Sequence, residues 1–130
     1  MTEEEILSLN PGQELDVLVA RHVMGHPSSR LVPGHVWGAL RDLTPEEDAG
    51  YRRCGIVHAY LGVAEYSTGI SAAWSVLERI RTAHPLASID SCGSEWLAWF
   101  SDLGEDSPRC ATAPEAICKA ALLLYFRTGG

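Results

Sequence analysis

Leu86-Ala87-Ser88-Ile89-Asp90-Ser91-Cys92-Gly93-Ser94-Glu95-Trp96-Leu97-Ala98-Trp99-Phe100-Ser101 reads as a β-hairpin. Two runs flank Gly93-Ser94, a pair suited to a type II′ turn because glycine takes positive φ at the first central position without strain. Side chains alternate along a strand, so Trp96, Ala98 and Phe100 share one face while Leu97 and Trp99 share the other. Both faces are apolar, which predicts a sheet covered on both sides. Arg109-Cys110-Ala111 is placed to add a third strand.

Helical patterns surround this hairpin. Upstream, Ser67 or Thr68 can cap a helix running to about Ala83, with Ile70, Ala73, Trp74, Leu77 and Ile80 on one stripe. His84-Pro85 stops it. Core packing is the ordinary role for Trp37, Trp74, Trp96 and Trp99, most clearly for Trp74 on that stripe. Downstream, Thr112-Ala113-Pro114-Glu115 reads as a capping box opening a helix over about 113–127. There Leu122, Leu123, Tyr125 and Phe126 widen the stripe of Ile117, Ala120, Ala121 and Leu124. So broad an apolar surface belongs to a buried helix or to an oligomer interface.

Near the beginning, Asn10, Pro11 and Gln13 form a helix start, and Leu15, Leu18, Val19 and Val23 repeat at helical spacing. Gly25 is placed to end that helix, which spans about 11–24. The middle region, about 27–65, is less regular. Pro27, Ser28, Ser29, Pro33 and Gly34 interrupt it. Thr44-Pro45-Glu46-Glu47 is a capping box for a short helix over about 45–52. Val36, Trp37 and Leu40 suit a short extended segment, and Ile56 to Val63 a strand weakened by Gly55 and Gly62. The whole is read as α+β: a short antiparallel sheet packed with three main helices, in a single domain over residues 1–130.

Bulk properties agree with that. A chain of 130 residues fits one domain and one core without staples. Its 46% hydrophobic and 21% charged residues are globular values. Net charge is −7, which opposes binding to nucleic acid through phosphate contacts. No stretch approaches the roughly 20 apolar residues of a membrane span. The acidic start, Thr2-Glu3-Glu4-Glu5, is unlike a secretory signal. The expectation is therefore a cytoplasmic protein, with no membrane and no nucleic-acid partner. In that compartment Cys54, Cys92, Cys110 and Cys118 are expected to be thiols.

Three segments carry a resemblance to a known family. Glu14-Leu15-Asp16-Val17-Leu18-Val19-Ala20 followed by Val23-Met24-Gly25 resembles the opening helix of the phage α-β-α (ABA) sandwich domain family. Tyr66-Ser67-Thr68-Gly69-Ile70-Ser71-Ala72-Ala73-Trp74 resembles its second signature, and Ala113-Pro114-Glu115-Ala116-Ile117-Cys118-Lys119-Ala120-Ala121-Leu122 its closing helix. The matches occur in the family's order, between about Gly12 and Leu124. Gly69 departs from the pattern, standing where an acidic residue is expected. The resemblance implies phage or prophage coding and a sheet packed with helices. It implies no activity.

Chemistry is sparse. His22 and His26 stand four residues apart, as do Cys54 and His58, but Gly25 and Pro27 break the first helix and no CxxC completes a metal set. Neither metal nor cofactor is expected. A Cys54/His58 pair, or Cys92 before its turn, lacks any flanking catalytic motif, so no catalytic residue is assigned and the chain is not read as an enzyme. A helix N-terminus offers free amides to an anion. The candidate ligand-binding set is therefore Tyr66, Ser67 and Thr68 at a helix start, with Arg30, Trp37, Arg52 and Arg53 from the middle region. For Ser67 and Thr68 ordinary capping is the stronger reading.

The function expected is a phage-encoded accessory binding protein without catalysis, a homo-oligomer that sequesters a small nucleotide-like host defence signal. The alternative is an interaction module for a host or phage protein, with no small ligand and with an exposed apolar patch on the last helix or around Trp37. Arginines ringing a concave pocket favour the former; a flat apolar surface favours the latter.

Overall fold

The computed structural model describes residues 1–34 and 38–128, so Trp37 and Val36 lie outside the described residues. In chain order the elements are α1 (Glu3–Ser8), α2 (Gln13–Leu18) running into a π-helical turn (Val19–Val23), β1 (Arg30–Leu31) and β2 (Ala39–Asp42). There follow α3 (Pro45–Arg53), β3 (Tyr60–Gly62), α4 (Ile70–Arg81), β4 (Ala87–Cys92), β5 (Glu95–Phe100), β6 (Arg109–Cys110) and α5 (Ala113–Thr128). The fold is α+β.

The hairpin forms as its sequence predicts. Cys92 pairs with Glu95 across a two-residue loop, and Gly93 has φ +66° while Ser94 does not have positive φ. A type I′ turn needs positive φ at both central residues, so the loop takes the II′ form. β6 adds antiparallel to β5 through Trp96 opposite Cys110 and Leu97 opposite Arg109, completing the order β4-β5-β6.

α5 is the centre of the protein. It packs on β5 and β6 with one side and on α1, α2, the π turn and α4 with the others. That explains its breadth: Ala116 through Leu124 are all buried. The expectation of a sheet covered on both sides does not hold. Ala98 and Phe100 face α5 and are fully buried, whereas Trp99, on the opposite face, is 37% exposed. No second helix layer packs over that face among the described residues.

Other expectations are corrected in detail. Trp74 is 49% exposed, with its indole N–H donating to Glu78 at 2.9 Å. The buried stripe of α4 is Ala73, Val76, Leu77 and Ile80. Trp74 stands about 100° around the helix from Ala73, and Ile70 beside it is exposed too. α4 opens at Ile70 with Gly69 as its cap residue, not at Ser67 or Thr68. α2 opens at Gln13, after Gly12 rather than Asn10. Ile56 and Val57 are exposed and precede β3, which is confined to Tyr60–Gly62. Glu115 supplies only half a capping box: its amide donates to Thr112, but its carboxylate turns to Lys119.

β1, β2 and β3 form a second antiparallel sheet with β2 in the middle. It is fastened to α3 by the capping box at Thr44. Glu47 accepts from the Thr44 amide at 2.9 Å and from both Arg41 Nη atoms at 3.0 and 3.1 Å. These bonds, the Arg41 guanidinium first, bring the Glu47 carboxyl down to about 2. Thr44→Ala is expected to lower stability by about 1 kcal/mol in urea denaturation, the usual cost of a lost cap.

Candidate functional site

A cleft of about 790 Å3 opens where three helices end. The π turn contributes His22 and Val23, the end of α4 contributes Arg79, Ile80 and Thr82, and the end of α5 contributes Leu124, Tyr125 and Thr128. His84, just past α4, completes the rim. The π turn builds one wall. Met24 N–H donates to the Val19 carbonyl five residues back at 2.9 Å, so the helix carries one extra residue in its last turn. Such insertions often occur at functional positions. Gly25 then takes φ +77° and His26 N–H returns to the Ala20 carbonyl at 2.9 Å, closing the helix where the sequence predicts.

The extra residue turns His22 onto the end of α5. Its ring centroid lies 5.1 Å from those of both Tyr125 and Phe126. Burial first, and then the Arg21 charge, hold the His22 imidazole below its ordinary value, which favours the neutral ring. Arg79 donates from Nε to the Val23 carbonyl at 2.6 Å, taking up a carbonyl at the end of the π turn. His84 Nδ1 is hydrogen-bonded to Asp102, which ties the end of α4 to the turn after β5.

Nothing here is an armed nucleophile. The Thr82 hydroxyl donates to the Arg79 carbonyl at 2.7 Å, and that of Thr128 to the Leu124 carbonyl at 2.9 Å. The buried thiols lie elsewhere: burial pushes Cys110 up to about 11 and moves Cys118 in the same direction. Cys54 is exposed at the end of α3, and no hydrogen bond joins it to His58 among the described residues. Among those residues, no three His, Cys, Asp or Glu side chains gather as a metal site.

The residues singled out from the sequence do not meet in one place. Tyr66 is 6% exposed and Ser67 fully buried, which corrects their placement at an open helix start. Ser67 is a pin between two segments. Its amide and hydroxyl both donate to Asp16 Oδ1, at 2.7 and 2.6 Å, and its oxygen accepts from Gly12 N–H at 2.8 Å. The amide is thus already held by a carboxylate of the chain itself. Thr68 is exposed, one residue before the Gly69 cap. Arg52 pairs with Asp48 at 2.9 Å on α3, and Arg53 lies exposed beside it. Arg30 stacks over the Tyr60 ring, 4.7 Å from its centroid. Tyr60 and Arg52 line a smaller cleft of about 450 Å3, so the structure brings Arg30 and Arg52 to Tyr60, at a cleft that Ser67 does not line.

Of the cleft residues, Arg79, His84 and Tyr125 escape sequence reasoning, and His22 stands out only through its spacing from His26. Tyr125 and Phe126 are visible only as extra breadth on the last helix, and His84 only as part of a helix stop. No residue in Val19-Ala20-Arg21-His22-Val23 signals a π turn.

Comparison with known proteins agrees with this architecture. The chain is similar to a phage protein from Bacillus cereus ATCC 14579 whose crystal structure is known, with a TM-score of 0.51 and 18% identity. The alignment covers 88% of this chain and 91% of that one, and at such identity it bears on the fold alone. No curated protein gives a significant match. The model of the phage ABA sandwich domain matches residues 17–122, from within α2 to within α5. With that match spanning the helices and hairpin just described, the chain belongs to the phage ABA sandwich domain family.

Proposed function

We propose that this is a phage-encoded binding protein, acting inside the host cell, that holds a small planar heteroaromatic molecule in the cleft without transforming it. One observation carries the reading: three helix ends converge on a cavity of ligand size with an apolar floor and a few polar groups at its rim. Tyr125 and the neutral His22 offer ring faces, and Arg79, His84 and Thr128 surround them with polar atoms. The helix ends also set the sign of the charge preferred there. Helix C-termini carry partial negative charge and spare carbonyls, so they favour hydrogen-bond donors over anions. Among the described residues Arg79 is the single arginine lining the cleft, and its Nε is engaged. The chemistry that fits is therefore the base end of a nucleotide-like molecule, a nucleobase or nucleoside, and not its phosphates.

Calorimetry with adenosine, guanosine, cytidine and uridine and their 5′-monophosphates tests this. At least one nucleoside is expected to bind, and its phosphate no more tightly. Tyr125→Leu, which keeps apolar volume on α5, is expected to weaken that binding about tenfold through loss of ring stacking. Thr68→Ala with Arg52→Ala is expected to leave it unchanged. Absence of binding throughout, or full affinity in Tyr125→Leu, would contradict the proposal.

A second reading is an interaction module for a host or phage protein. One observation favours it: Ile70 and Trp74 form an exposed apolar ridge on α4, 58% and 49% accessible. An exposed tryptophan is a common anchor of protein interfaces.

A further inference from the structure

We infer that the open face of the β4-β5-β6 sheet joins two copies of this chain about a two-fold axis running along β5. The inference is independent of the cleft and rests on how charge is arranged on that face.

Leu97 and Trp99 point away from α5, because Ala98 and Phe100 between and after them are fully buried against it. Cross-strand neighbours share a face. Pairing register therefore puts Ser88 beside Trp99, Asp90 beside Leu97 on one side, and Arg109 beside Leu97 on the other. One row across three strands reads Asp90, Leu97, Arg109. Asp90 and Arg109 are two strand spacings apart, about 10 Å. Among the described residues Arg109 has no ion-pair partner, and the Asp90 carboxylate accepts only from the Ser88 hydroxyl, at 2.8 Å.

A two-fold interface requires one patch to complement itself. Rotation about an axis along β5 lays β4 of one copy over β6 of the other and keeps every residue at its own height along the strand. Asp90 then faces the second copy's Arg109, and Arg109 faces the second copy's Asp90. Leu97 and Trp99 lie on the axis, where each meets its own counterpart at the roughly 10 Å separation of packed sheets. An axis across the strands sets Asp90 on Asp90 and Arg109 on Arg109, so the charges select the first arrangement. The patch is small. Two strands of six residues and one of two give a footprint on the order of 200 Å2, against roughly 800 Å2 per partner in a standard interface. A reversible dimer forming at micromolar or higher concentration is the consequence.

Sedimentation equilibrium over a concentration series into the hundreds of micromolar tests the arrangement with two charge reversals. Asp90→Arg places two arginines opposite each other at both ends of the row, and Arg109→Asp places two carboxylates there. Each variant alone is expected to dimerise at least about tenfold more weakly than wild type. Mixed in equal amounts, the two are expected to form a heterodimer of wild-type affinity, and the double reversal in one chain a homodimer. Recovery on mixing shows that both variants are folded. A wild-type chain that stays monomeric, reversals that dimerise unchanged, or a mixture that does not recover would each overturn the inference.

Discussion

Lys119→Ala is expected to destabilise the protein by about 3–5 kcal/mol, lowering its melting temperature by roughly 10–20 °C. Lys119 is the only lysine in the chain and is 4% exposed, in the middle of α5. Its ammonium donates to Glu115 at 2.6 Å and to the Leu7 carbonyl at 2.9 Å, near the end of α1. Truncation leaves the Glu115 carboxylate, whose side chain is 12% exposed, without its partner and unfastens α1 from α5. The cost comes chiefly from that stranded charge and not from the worth of the pair. Replacing both residues by methionine, which removes both charges and retains volume, is therefore expected to recover most of the loss. Thermal unfolding followed by circular dichroism reads both effects. A double variant no more stable than Lys119→Ala would show that the ion pair itself supplies the stability.

The second large effect belongs to Asp16, the buried carboxylate that holds Ser67. Asp16→Ala is expected to cost about 3 kcal/mol, because the Ser67 amide and hydroxyl lose a charged acceptor in a buried setting. Asp16→Asn keeps an oxygen in place and is expected to cost far less. Its pH dependence differs from wild type in a defined direction. Burial raises the Asp16 carboxyl above its ordinary value, partly offset by the hydrogen bonds from Ser67. A carboxyl raised in the folded state contributes stability that is complete below the unfolded value, about 3.9, and is lost as pH rises through the folded one. The stability of wild type relative to Asp16→Asn is thus expected to fall from pH 4 toward neutrality. A difference that is flat or rises over that range would mean that Asp16 is ionised without penalty.

These two residues also mark the limit of what the sequence alone conveys. Local signals are legible because they are encoded within a few residues. Gly93-Ser94 sets the hairpin, Thr44 to Glu47 cap α3, Gly25 ends the first helix, and the apolar breadth of 113–127 announces a central helix. Polar residues recruited from far along the chain are not legible that way. Ser67 looks like a cap, yet it is buried because Asp16, 51 residues away, needs its two donors. The strands of the second sheet are too short for alternation to show. β5 is apolar on both faces, but periodicity cannot say whether the second face is covered within one chain. Trp74 reads as a core residue beside Ala73 and Leu77 on the stripe, while the geometry of α4 puts it on the flank. The cleft is the least legible feature, since it depends on one extra residue in a helical turn of ordinary helix formers.

Protein NMR during titration with the tightest-binding nucleoside tests whether the cleft is where the ligand sits. Shifts are expected to concentrate at His22, Arg79, His84, Tyr125 and Thr128, with signals of Ser67, Thr68, Arg30 and Arg52 unmoved. Shifts centred on Tyr66 to Thr68 or on α3, with the cleft silent, would contradict this placement.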